Sequence, residues 1–328
     1  MFENLEGVMG VNAGVAGAWP EEPLEGAFCG ALEDCEATAV GDDAAAPGGS
    51  DAAAPWVNRS IPWAPVPSPR SCLLAVDVGN TVTKFGVFAG DELVGTWEIT
   101  TPERCTADEA WAQAARALDM LDAPDPGSAI LSCVVPSLAD VWRTALGKLC
   151  GTRPYVVGPG LKTGIRMRYD DPSEVGSDRV ADAVAAREAY GSPVVVVDLG
   201  TTTNIEVVDE SGAFAGGIIA PGVALGARSL AEAAARLPVI ELRAPERVIA
   251  RSTRAAMQSG VVLGEAARID GLLDAVMGEL GCDAPVVITG GGAAQVAALI
   301  GHEATVDESL TLRGLHLIWR TNRGSRAR

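Results

Sequence analysis

The chain has 328 residues, 48% of them apolar, with 25 Lys and Arg against 43 Asp and Glu, a net charge of −18. That length buries a sizeable core and suggests about two domains, while the charge repels nucleic-acid backbones and anionic membrane surfaces, so neither is an expected partner. No apolar run reaches the length of about 18 residues that a spanning helix needs, and the start MFENLEG lacks the basic residues of a secretory signal, which makes the cytoplasm the expected location.

Residues 1–70 differ from everything after them. They are rich in Ala, Gly and Pro without a sustained hydrophobic period, close in the Pro-rich IPWAPVPSPR, and read as a disordered acidic extension. They hold eleven acids and two bases, a net −9, so half of the chain's charge excess lies there. From Ser71 onward strands and helices alternate. LLAVDV (73–78), KFGVFAG (84–90) and LVGTWEIT (93–100) read as three consecutive strands, the last two joined by a turn at Gly90 and Asp91. ADEAWAQAARALDMLDA (107–123) has helical spacing and stops before Pro124; AILSCVVP (129–136) is strand-like, LADVWRTALGKLC (138–150) a helix, and RPYVVG (153–158) a short strand. A loop, YDDPSEV (169–175), leads into the helical DRVADAVAAREAY (178–190). The stretch 193–222, PVVVVDLGTTTNIEVVDESGAFAGGIIAPG, then repeats the opening theme of apolar run, Asp, Gly-rich turn and two further strands, roughly 120 residues later. Two halves are therefore expected, 71–190 and 191–328.

A single turn holding Asp77, Gly79, Asn80 and Thr81 is compatible with an ordinary hairpin, because Gly and Asn tolerate positive φ. Two hairpins of one design suggest two facing loops that grip one ligand. Small residues let backbone N–H groups and Thr hydroxyls approach phosphate oxygens, and Asp77 and Asp198 can hold a cation or its water shell. A third element, APVVITGGGAAQVAAL (284–299), runs strand, Gly290 to Gly292, helix, so that backbone can approach a flat ligand or a phosphate. Competing phosphate motifs are missing from the sequence: its one Gly-Lys, Gly147 and Lys148, continues into Leu149, and no G-x-G-x-x-G follows a strand. Seven cysteines without a CxxC pair and two histidines, His302 and His316, lack the pattern of a zinc site or a disulfide framework.

The segment GSDR, Gly176 to Arg179, opens a helix after a loop. Residue types leave two readings open there: Ser177 or Asp178 caps the helix, or the segment carries chemistry.

The paired Asp-Gly-Thr hairpins and the late Gly-rich turn resemble the acetate kinase, sugar kinase, Hsp70 and actin superfamily. Within it, DVGNT (77–81), EVGSDRVADAVAA (174–186), VVDLGTTT (196–203), GGIIAPG (216–222), RLPVIEL (236–242), STRAAMQSGVVLG (252–264) and DESLTLRGLHLI (307–318), in that order, resemble type III pantothenate kinase over residues 72–322. The resemblance implies an α/β fold of two actin-like, ribonuclease H-like halves with mixed β-sheets and an ATP site between them. It implies ATP-dependent phosphorylation of pantothenate to 4'-phosphopantothenate, the first step of coenzyme A biosynthesis, by a homodimer whose substrate site lies between subunits. It further implies ATP with Mg²⁺ and a monovalent cation, K⁺ or NH₄⁺. Position by position, Asp77, Val78, Gly79, Asn80, Thr81, Val82, Thr83 and Lys84 match the first ATP loop, and Thr201 a nucleotide contact. Gly176, Ser177, Asp178, Arg179 and Thr253 match pantothenate contacts, with Asp178 the catalytic aspartate and Asp198 the monovalent-cation ligand. Three positions depart from the family's usual residues: Ser177 stands where Ala is usual, Thr202 for Ala, and Asn204 where Thr or Asp is common. Two other readings of the scaffold are a regulatory or binding protein of the Bvg accessory factor type and a kinase for another small polar acceptor.

Overall fold

The computed structural model describes residues 72–323; the extension read as disordered lies outside them. The chain begins with the expected meander, β1 (Cys72–Val78), β2 (Val82–Ala89) and β3 (Glu92–Thr100). It continues through α1 (Ala107–Met120), β4 (Ser128–Cys133), α2 (Pro136–Cys150), β5 (Tyr155–Val156) and β6 (Arg166–Met167) to α3 (Ser177–Tyr190). The second meander is β7 (Val194–Leu199), β8 (Thr202–Val208) and β9 (Ala213–Pro221). After it come α4 (Val223–Ala233), α5 (Thr253–Gln258), α6 (Gly264–Leu280), β10 (Val286–Gly290), α7 (Ala293–Ala297), β11 (Ala304–Val306) and α8 (Leu310–Asn322).

Two mixed sheets share one plan. The first runs β3-β2-β1-β4-β5 and the second β11-β10-β7-β8-β9-β6, so the meander of each half continues into parallel strands on the side of its first strand. The short β6, absent from the expected pattern, adds a parallel edge to β9.

The helix ends follow local chemistry. Thr106 and Glu109 form a reciprocal capping box at the start of α1, which stops at Met120, short of the expected Ala123, as Asp122 takes a positive φ of 49°. Pro136 sits at the first turn of α2, where its missing N–H is harmless, so that helix begins two residues before the expected Leu138.

Period-2 alternation divides the strand residues between two layers. Outward residues of the first sheet, Leu74, Val76, Phe85 and Leu131, pack under α1 and α2, where Phe85 and the fully buried Trp142 form a tilted pair at 5.6 Å. Outward residues of the second sheet, Val195, Val197 and Ile288, pack under α6 and α7. The inward residues Leu73, Ala75, Ile130, Val194, Val196 and Val287 form a third core with α3 and α8. Those two helices lie between the sheets, and α8, last in the chain, packs on β1, β2 and β4 of the first sheet. The alternation that buries Ala75 and Val196 inward also turns Asp77 and Asp198 inward, at the ends of β1 and β7. None of the described helices is long and apolar enough to cross a membrane.

Candidate active site

The turns that end β1 and β7 meet. Thr81 Oγ1 lies 2.7 Å from Thr201 Oγ1, so the hairpins expected to face each other are in contact through their hydroxyls. Around them opens a cavity of about 1590 Å³. Ligand pockets usually span about 300–1,000 Å³, so this one has room for two substrates. Asp77, Gly79, Asn80, Thr81, Val82 and Lys84 line it from the first half, Asp198 and Thr201 from the second, and Asp178 from α3. The third glycine element also reaches it: Gly290, with φ +89°, packs so close to the second hairpin that a Cβ would sit 2.4 Å from the Leu199 carbonyl oxygen and 2.7 Å from Asp198 Oδ1.

Not every residue named from the sequence reaches the cavity. Val78 and Thr83 are buried within the first hairpin, where Thr83 Oγ1 bonds Thr101 Oγ1 at 2.8 Å. Gly176 is the N-cap of α3, which places Ser177 and Asp178 inside the first turn and not at the cap. Ser177 Oγ instead bridges to β4, 2.8 Å from Ser132 Oγ and accepting the Cys133 N–H at 3.2 Å. That hydroxyl ties the start of α3 to the first sheet. Asp178 Oδ1 accepts the N–H of Arg179 at 2.8 Å, satisfying one free first-turn amide. Arg179 turns away into the interior: its Nε donates to Glu206 Oε1 at 2.8 Å, and its guanidinium lies over the Phe214 ring. Thr253 is exposed at the first turn of α5, outside the cavity lining. The unusual Thr202 and Asn204 bond each other, Thr202 Oγ1 donating to Asn204 Oδ1 at 3.1 Å, and Asn204 in turn supports the Asp198 carboxylate.

Residue types did not single out Asp182 and Glu206, and both are fully buried below the cavity. The spacing contained them: Asp182 follows Asp178 by one helical turn, and Glu206 lies two residues beyond Asn204 on the same strand face. Both Asp182 oxygens, Glu206 Oε2, Asp77 Oδ1 and Arg179 Nη2 are buried without a hydrogen-bond partner among the described residues.

Crowding acids in a dry space shifts their proton equilibria upward. Burial, and next the Asp178 charge, push Asp77 to about 7, against the pull of Ser132 and Lys84. The same two causes bring Asp198 to about 6. Burial and the Asp198 charge hold Glu206 at about 8 even with Arg179 beside it, and carry Asp182 well above the carboxylate range. Asp178 itself is raised by burial. Each of these folded-state values exceeds the unfolded one, so the stability they carry is complete below about pH 4 and is lost as pH rises through 6 to 8. The ligand-free protein is expected to lose roughly 5–10 °C in Tm between pH 6 and pH 9, given about 2–4 °C per kcal/mol for a domain of this size. Asp77→Asn is expected to flatten that slope. Equal melting temperatures at pH 6 and 9 would refute the acid cluster as a source of instability.

The cavity's donor set of carboxylates and hydroxyls fits hard cations and not zinc. No three acidic, His or Cys side chains among the described residues converge tightly enough to cage a metal ion. Mg²⁺ usually takes one or two carboxylates and completes its shell with phosphate oxygens and water.

The model of the type III pantothenate kinase family matches residues 73–275. The chain belongs to that family. It is a kinase, and kinases of this kind use ATP with a divalent metal. Type III pantothenate kinases from Rhodospirillum centenum and Moorella thermoacetica are 43% and 40% identical to it, over 260 and 257 residues. Each alignment spans 76% of this chain, and 98% and 99% of the relative. Among solved structures, a Campylobacter jejuni protein described as a conserved Baf family transcriptional activator aligns with 76% of the chain and 99% of its own, at a TM-score of 0.50 and 19% identity. That likeness supports the fold of two mixed-sheet α/β halves.

Proposed function

We propose that this kinase transfers the γ-phosphoryl group of ATP to the primary hydroxyl of pantothenate, forming 4'-phosphopantothenate at the start of coenzyme A biosynthesis. The observation that carries the reading is the convergence of Asp178, from α3, on the one cavity where both hairpin turns meet. Phosphoryl transfer demands mainly positioning and charge neutralisation. Gly79, Asn80, Thr81, Val82 and Lys84 of the first hairpin, with Thr201 of the second, hold the phosphates. Asp178 accepts the proton of the acceptor hydroxyl, and its raised proton affinity brings it nearer the working pH. The acceptor lies at the start of α3, beside Gly176; Ser177 and Arg179 support that start from behind through Ser132 and Glu206. Mg²⁺ would neutralise the phosphate charge, and Asp198 would hold a monovalent cation, K⁺ or NH₄⁺.

A homodimer accommodates the two observations left over. Thr253 lies outside the cavity, so its contact with the acceptor is made from a second copy. Exposed apolar side chains at Ile219, Leu230, Val239, Val248 and Ile249, with Val239 at 83% and Ile249 at 86% exposure, offer that copy a surface. Sedimentation at the 33.6 kDa chain mass would remove this arrangement. The enzyme works in the cytoplasm.

The deciding experiment measures ADP release with pantothenate and with a panel of other small hydroxyl compounds, in K⁺, in NH₄⁺ and in Tris alone. Turnover confined to pantothenate is expected, falling in Tris alone. A different preferred acceptor would overturn the substrate, and full activity without K⁺ or NH₄⁺ would overturn the cation at Asp198. Absence of ATP turnover with every acceptor would favour a binding protein.

A further inference from the structure

The cavity is lined by more acid than base. Asp77, Glu98, Asp178, Asp198, Glu232, Asp307 and Glu308 face three cations, Lys84, Arg228 and Arg313, and Arg313 is paired with Asp307 at 3.0 Å. No ion pair among the described residues engages Lys84 or Arg228. Lys84 stands opposite Asp77 in the β1–β2 register and tempers that carboxylate. Arg228 is the cation without such a duty.

Its placement is specific. The cavity-lining residues of α4 are Ala224, Leu225, Ala227, Arg228, Ala231 and Glu232, whose spacing is that of a single helix face. Three alanines keep that face shallow, so the Arg228 side chain stands above it at mid-helix. Glu232 follows one turn later, with the cation on its N-terminal side, the weaker order for such a pair. The helix starts at the second phosphate turn, where the Gly222 N–H donates to the Thr201 carbonyl oxygen at 3.2 Å. At 1.5 Å rise per residue, Arg228 lies roughly 9 Å further along the axis. A polyphosphate anchored by its transferring end at the Thr81–Thr201 contact and extended along α4 would bring its inner phosphates to Arg228.

We propose that Arg228 binds the non-transferred phosphates of the nucleotide and so sets affinity for the phosphate chain, a role that rests on the kinase reading. Guanidinium suits it, since its planar fork takes two phosphate oxygens at once.

The test is direct binding of Mg-ATP, Mg-ADP and adenosine to the full chain and to Arg228→Met and Arg228→Lys, with melting temperatures alongside. Arg228→Met is expected to weaken ATP and ADP about tenfold or more, the scale of one or two charge-assisted contacts. Adenosine, which has no phosphate, should bind unchanged, and Arg228→Lys should recover part of the loss. Unaltered ATP affinity in Arg228→Met overturns the proposal, as does equal weakening of ATP and adenosine. A raised KM for pantothenate with ATP binding intact would assign Arg228 to the acceptor carboxylate and overturn it too. A wild-type chain that binds no Mg-ATP would bring down the kinase reading itself, a result distinct from all of these.

Discussion

Asp178→Asn is expected to lower kcat by about 10² to 10⁴-fold, the usual contribution of acid–base catalysis, in a protein that stays fully folded. The substitution is nearly isosteric and keeps an oxygen able to accept the Arg179 N–H, so the first turn of α3 retains its side-chain bond. It also removes one of several like charges. The Asp178 carboxylate is the second-largest cause, after burial, of the upward shifts at Asp77 and Asp198, so its neutralisation relieves both neighbours. The melting temperature should therefore hold or rise slightly while turnover collapses. The fall in turnover separates the two readings that residue types left open, because a residue serving only the helix start would show the thermal effect without it. For a largely dissociative transition state the base acts late, which places the loss toward the lower end. Steady-state kinetics with pantothenate and a parallel thermal melt decide it. A folded variant within threefold of wild-type turnover would leave this chain without a named base.

The parts of the site that were legible in the sequence are those set by local rules. A run of apolar residues ending in Asp and a Gly-rich turn specifies a strand and its hairpin, and the strand period then fixes that Asp77 and Asp198 share the inner face with Ala75 and Val196. The Gly290 turn was legible for the same reason, since a strand meeting three glycines and a helix has few other geometries. What escaped depends on contacts between segments remote in the chain. Arg179 was matched to the acceptor, but its partner is Glu206, 27 residues away on another element. Ser177 looked like a cap, yet its bonds cross 45 residues to Ser132. Helix α4 carries the glycine Gly226, a weak helix former, in VALGARSLAEA, so the cavity face that holds Arg228 had no strong local signal. Nor does anything in the α8 sequence indicate that the last helix returns to the first sheet.

That return makes Gly314→Ala the substitution with the largest expected effect on stability. Gly314 lies inside α8, and a Cβ built there would fall 1.9 Å from the carbonyl oxygen of Ala181 in α3. The obstacle is backbone, so no rotamer change can clear it, and the two helices must separate. Overpacking of a close helix contact costs about 1–3 kcal/mol and occasionally more; because this contact joins the helices between both sheets, the upper end is expected, a fall in Tm of about 5–10 °C. Ala181 is three residues from Asp178, so a displaced α3 should also lower turnover beyond any loss of folded protein. Gly271→Ala provides the contrast: it is exposed within α6 with nothing within 4 Å of the added carbon, and an alanine there should stabilise by about 0.5–1 kcal/mol. Gly314→Ala melting within a degree of wild type would show that α3 and α8 do not approach this closely, and the inward placement of Asp178 would lose its structural cause.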